Sequence, residues 1–201
     1  MSATRLRMPA AERRQCVLDS AGRVFSRSSY HAATTAEIAR ECGVSEPVLY
    51  RHFSSKRDLY LACLDAGWAH VRGLWEEALQ REPDPGFRLG AMGRSYIEQQ
   101  RSGGRIMLSD LWVQALNEAA DDPKIRRYLR EQMREVHDFV ANVIREAQAE
   151  GAIPKDRDPD AEAWIFISVG LLSTIDRRLG AVGESAFEGV FASRRAWLVG
   201  R

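Results

Sequence analysis

The chain has 201 residues, of which 45% are hydrophobic and 28% charged, with 29 basic residues against 28 acidic ones. That composition excludes global disorder, and the length suffices for a sizeable core in one or two domains. No run approaches the roughly 18 uninterrupted apolar residues of a membrane helix, and the opening "MSATRLRMPAAERRQC" lacks the apolar core of a secretory signal, so a cytoplasmic protein with no membrane partner is expected.

Charge is uneven along the chain. Residues 1–60 carry ten Lys/Arg and six Asp/Glu, and the remainder carries 19 basic and 22 acidic side chains. A basic first third on a mildly acidic body suits a polyanion partner for that third alone. Cys16, Cys42 and Cys63 are odd in number and lie in helical patterns, which favours reduced, buried thiols over a disulfide framework. Neither they nor the scattered His31, His52, His70 and His137 have the spacing of a metal site.

Helical periodicity recurs throughout, and no segment alternates as a strand does, so the fold is expected to be all-α. A first helix runs from about Ala10 to Ser26, with Val17, Ala21, Val24 and Phe25 as its apolar stripe. A second begins at a capping box, with Thr34 as N-cap and Glu37 reaching back, and stops at Gly43. Ser45 caps a third helix, about Glu46 to Phe53, with Pro47 in its first turn and Leu49 and Phe53 on its buried edge. Ser55 and Asp58 form another capping box for a long fourth helix, about Lys56 to Gln80. "REPDPG" breaks the chain at 81–86. Further helices are expected over 87–100, 106–119, 123–150, from Asp160 onward and over 184–199.

Two short helices joined by a tight glycine-containing turn have the shape of a helix-turn-helix, whose second helix lies in the DNA major groove. Val48 suits a thymine methyl, Arg51 and His52 suit base acceptors or phosphates, and Tyr50 offers a hydroxyl to a phosphate. Lys56 and Arg57 stand in the first turn of the fourth helix, where the dipole disfavours cations, and a phosphate docked there reverses the sign of that interaction.

The stretch "TTAEIARECGVSEPVLYRHFSSKRDLYLACL" resembles the DNA-binding domain of TetR-family (tetracycline-repressor-like) transcriptional regulators. Thr35, Ile38, Ala39, Gly43, Val44, Ser45, Leu49, Tyr50, His52, Phe53, Lys56 and Leu59 carry the likeness, which covers about 11–64. The resemblance implies a three-helix DNA-binding head at 1–60 and a larger helical effector-binding and dimerisation domain at 61–201. It implies a homodimer on a near-palindromic operator, usually repressing and usually released by a small ligand. By position, Thr35, Ser45, Tyr50, His52 and Lys56 are implied phosphate contacts, while Glu46, Pro47, Val48 and Arg51 occupy base-reading positions. Glu46 and Pro47 are poor base readers in general, which shifts direct readout toward Arg51 and Val48.

The second domain matches no motif that names a ligand. Trp68, Trp75, Tyr96, Met107, Leu111, Trp112, Met133, His137 and Trp164 are candidates to line a mostly apolar cavity, with Gln99, Gln114, Asn117 and His137 as polar groups. Taken singly, an aromatic at helical spacing is more often ordinary core. "AEAWIFISVGLL" is apolar almost all round, as a helix packed on two sides is. The family resemblance places Trp164, Ile167 and Leu171, with Phe187, Val190 and Phe191 of the last helix, in a four-helix dimer interface. His137 and Asp138 are adjacent and point about 100° apart, so they do not converge on a metal.

A ligand-responsive DNA-binding repressor is therefore the leading expectation, with no cofactor. The alternatives are a helical interaction protein that keeps the head without reading DNA, and an all-helical enzyme. Against an enzyme, no nucleophile–base pair, paired carboxylates or phosphate loop stands in the sequence.

Overall fold

The computed structural model describes residues 9–102 and 108–200. The described residues are helical: α1 (Ala10–Arg27), α2 (Thr35–Cys42), α3 (Glu46–Tyr50), α4 (Lys56–Arg81), α5 (Arg88–Arg101), α6 (Leu108–Asp121), α7 (Pro123–Ala149), α8 (Pro159–Leu179) and α9 (Glu184–Val199). A single 3-10 turn at Pro85–Phe87 precedes α5.

The chain divides into two compact units, 1–68 with 105–125 and 69–104 with 126–201. The boundary expected at residue 60 lies inside α4, and α6 joins the first unit rather than the second. Specific bonds account for this: Tyr60 Oη donates to the Leu111 carbonyl at 3.2 Å, and Gln114 Nε2 donates to the Ser26 carbonyl at 3.2 Å.

In the first unit the α1 stripe packs as its spacing requires. Val17, Ala21, Val24 and Phe25 are all fully buried, together with Ile38 of α2 and Leu49 of α3. Phe25 meets Tyr60 edge-on at 4.8 Å, and Tyr30 lies 5.0 Å from Tyr60, so the loop after α1 is pinned to the core by an aromatic trio. Arg57 Nε reaches Asp122 Oδ2 at 2.7 Å, and His31 Nε2 reaches Glu118 Oε2 at 2.8 Å.

The thiols depart from expectation. Cys16 of α1 and Cys42, the last residue of α2, are joined as a disulfide with their Cα atoms 5.9 Å apart. Spacing of 26 residues gives no hint of this pair; it arises because the α1–α2 crossing brings the two side chains together. Cys63 is buried and free, and burial pushes its thiol above the ordinary value.

In the second unit Trp75 lies 5.8 Å from Phe139 and 5.6 Å from Phe166, so α4, α7 and α8 share one aromatic cluster. Phe191 of α9 presses on α5 at Gly93, where an added Cβ would come within 2.6 Å of its ring. α8 and α9 are tied by Glu162, whose carboxylate pairs with Arg194 and accepts from Trp197 Nε1 at 3.1 Å. Among the described residues no helix is long and apolar enough to cross a membrane, and no cluster of three potential metal ligands occurs.

Candidate functional site

The turn between α2 and α3 is built from the residues its sequence announces. Thr34 Oγ1 accepts from Glu37 N–H at 3.1 Å. Gly43 adopts φ 74°, a left-handed conformation in which a Cβ is strained, and Val44 N–H closes on the Ala39 carbonyl at 2.9 Å. Leu49 and Phe53 seal α3 from behind, at 0% and 2% exposure.

Several local details differ from the sequence reading. α3 ends at Tyr50 instead of continuing to Phe53; Arg51 is its C-cap, and the His52 and Phe53 N–H groups both bond the Leu49 carbonyl. Ser45 sits at the N-cap position, but its hydroxyl makes no capping bond. Glu37 does not reach back to Thr34, because Arg27 holds its carboxylate at 3.1 Å. The fourth-helix box is shifted on one side: Ser55 Oγ accepts from Asp58 N–H at 3.0 Å, while Asp58 Oδ2 accepts from Ser54 N–H at 2.8 Å.

The residues singled out for DNA fall into two groups. Ser45, Pro47, Tyr50 and Arg51 are exposed, with Val48 and His52 half-buried beside them. These form a surface that begins at α3 and continues past its end. Thr35 and Lys56 are committed to the protein, and Glu46 is tied to it through one carboxylate oxygen. Thr35 is buried, donates its hydroxyl to Glu46 Oε1 at 2.6 Å and lies 3.2 Å from the Tyr50 hydroxyl. The Lys56 ammonium donates to the Ala33 carbonyl at 2.8 Å and the His31 carbonyl at 3.4 Å, and it stands 4.6 Å over the Tyr30 ring. Burial lowers its pKa from the ordinary lysine value. In this arrangement Lys56 fixes the loop that leads into α2. The unfavourable place of a cation at a helix start is offset by carbonyls and a ring.

The residues singled out for ligand binding are scattered. Met107 lies outside the described residues. Trp68 and Leu111 are buried in the first unit, and Trp112 is half-buried there. Tyr96, Met133, His137 and Trp164 belong to the second unit, where His137 and Trp164 meet at 4.5 Å. His137 also spends Nδ1 on Asp138 at 3.1 Å and Nε2 on the Asp160 carbonyl at 3.2 Å. A cavity of about 50 Å³ in the second unit has other walls: Leu89, Phe166, Val169, Phe191 and Leu198, with Glu162, Arg194 and Arg195 as polar groups. Of these walls the sequence singles out Phe191 and Leu198, as part of the apolar stripe of the last helix and for dimerisation. Helix packing decides these walls, and no local spacing reveals them.

The residues proposed for an interface also separate. Trp164 and Leu171 are exposed, Ile167, Val190 and Phe191 are half-buried, and Phe187 is buried in its own unit. The exposed stripe on α8 is completed by Ile175 and Leu179, at 50% and 73% exposure, which the sequence reading missed. Their signal was present: positions 164, 168, 171, 175 and 179 repeat at three- and four-residue steps along one face.

Residues 17–63 match the family described as bacterial regulatory proteins, tetR family, and residues 88–169 match the C-terminal region of BetI-type transcriptional repressors. The transcriptional activator FasR of Mycolicibacterium smegmatis is 40% identical over 110 residues, which span 53% of this chain and 50% of that relative. The chain thus matches only half the length of that regulator. The transcriptional regulator UidR of Escherichia coli is 28% identical over 165 residues, 80% of each chain. A crystal structure of a transcriptional regulator from Saccharomonospora viridis in complex with choline superposes with a TM-score of 0.71 at 25% identity, over 93% of this chain and 95% of that one.

Proposed function

Because the chain belongs to the tetR family of transcriptional regulators, we propose that it is a repressor that binds a near-palindromic operator as a homodimer and leaves it when a small, largely apolar ligand binds the second unit. The observation that carries this reading is the α3 surface. A five-residue helix is sealed from behind by Leu49 and Phe53 while Pro47, Tyr50 and Arg51 remain exposed. A five-residue helix anchored on one side by Leu49 leaves its outer residues for a partner, and a major groove is the surface they suit.

Dimerisation is supported by the exposed α8 stripe of Trp164, Leu171, Ile175 and Leu179, which is larger than scattered surface apolar residues require. Two reading helices related by a two-fold axis address half-sites about 34 Å apart. Repression is supported by the match of residues 88–169 to BetI-type repressors. The choline complex of the Saccharomonospora regulator makes choline, whose trimethylammonium head presents mostly methyl surface, the first effector to try. Operator binding on chromosomal DNA requires a cytoplasmic protein.

One observation favours a second reading, activation: the match to FasR, which is named an activator. Placing a bound genomic fragment upstream of a reporter separates the two. Repression requires lower output when the chain is expressed, restored by the effector; higher output on expression establishes activation instead.

A further inference from the structure

Glu46 is an unexpected side chain on a surface that meets a polyanion. A carboxylate near phosphates is repelled unless a donor on the nucleic acid compensates it. Nor is this carboxylate loose. Thr35 Oγ1 donates to Glu46 Oε1 at 2.6 Å, and the Tyr50 hydroxyl lies 3.2 Å from the same Thr35 oxygen. Thr35 has one proton to give, so with that proton on Glu46 the Tyr50 hydroxyl donates to Thr35. A relay from Tyr50 through Thr35 therefore ends on one carboxylate oxygen. Among the described residues Glu46 Oε2 accepts no hydrogen bond from the protein.

Glu46 is also the first residue of α3, and the N-terminal residues of a recognition helix are the ones that meet base edges. Base edges in the major groove offer a carboxylate few partners. Guanine presents only acceptors there, and thymine an acceptor and a methyl. Adenine has an amino donor with the N7 acceptor beside it, which repels the second carboxylate oxygen. Cytosine presents its N4 amino donor with the paired guanine's O6 acceptor on one side and only its own C–H edge on the other, which leaves room for the second carboxylate oxygen. We infer that Glu46 is a specificity-determining residue that accepts a hydrogen bond from a cytosine amino group in each operator half-site, with Thr35 and Tyr50 holding it in place. This assignment rests on the reading of α3 as the major-groove helix.

The test is selection from randomised duplexes with the full chain, comparing wild type, Glu46→Gln and Glu46→Ala. Glu46→Gln keeps an acceptor oxygen for Thr35, so it preserves the α2–α3 tie if alanine disturbs folding. The expected result is one position per half-site where the wild type prefers cytosine by about tenfold. Both variants lose that preference, glutamine shifts it toward adenine, and the remaining positions keep theirs. Retention of the cytosine in the Glu46→Gln matrix, or a wild-type matrix with no cytosine preference, overturns the assignment and leaves Glu46 a structural tie. Failure of the wild type to select any sequence overturns the proposed function and this assignment with it.

Discussion

α3 and α8 bury their apolar residues in opposite ways. α3 has five residues, hides Leu49 completely and turns polar tips outward. α8 has 21 residues and leaves Trp164, Ile165, Leu171, Ile175 and Leu179 exposed. The short helix depends on its own unit for every apolar contact and offers polar groups to a charged partner. The long helix has more apolar surface than its own unit covers. Under the proposed function the contrast separates two kinds of recognition: hydrogen bonds and charge at α3, area at α8.

The largest expected effect breaks the first half of that contrast. Leu49→Ala empties a fully buried position and should cost about 2–5 kcal/mol, lowering the melting midpoint of the first unit and abolishing operator binding. Chemical denaturation followed by operator titration checks this; a variant with wild-type stability contradicts the sealing role.

Reducing the Cys16–Cys42 bond, or Cys42→Ser, should destabilise the first unit by about 3 kcal/mol, because the bond closes a loop of 26 residues in the unfolded chain. Melting curves with and without a thiol reductant read this directly. Cys63 is unpaired in both states, so Cys63→Ala should show the same reductant shift as wild type.

Leu171→Glu places a carboxylate on the exposed α8 stripe, where each copy of a dimer would bury one. The dimer dissociation constant should rise at least thirtyfold, about 2 kcal/mol, with little change in the helical content of either unit. Analytical ultracentrifugation over a concentration series decides it, and an unchanged constant removes this face from the interface.

Smallest is Tyr50→Phe. It deletes the hydroxyl next to Thr35 and should weaken operator binding by about 1 kcal/mol while leaving the melting midpoint near that of wild type. A matched fall in stability and binding would make Tyr50 a structural residue only.

What the sequence makes legible follows the range of the interactions. The Thr34 cap, the Gly43 turn and the Leu49–Phe53 edge lie within four residues or so of their partners, and their residue types announce them. The Lys56 bonds to the Ala33 and His31 carbonyls span 23 and 25 residues, and the Cys16–Cys42 link spans 26. Such contacts depend on how helices cross, which residue spacing does not encode. Thr35 shows the cost: its place in the motif suggested a phosphate contact, while its hydroxyl is spent on Glu46. In the second unit the contacts that tie α8 to α9, from Glu162 to Arg194 and Trp197, span 32 and 35 residues. The α8 stripe was half legible through its period, and the cavity walls contributed by α5, α8 and α9 were not.

The measurement that tests the central claim most directly is selection of genomic fragments with the purified chain, followed by a salt titration of the strongest fragment. We expect a near-palindromic site whose half-site centres lie about 10 base pairs apart or a multiple of that, with affinity falling steeply as salt rises. Enrichment of no fragment by the ligand-free chain, or binding that does not respond to salt, would contradict the account.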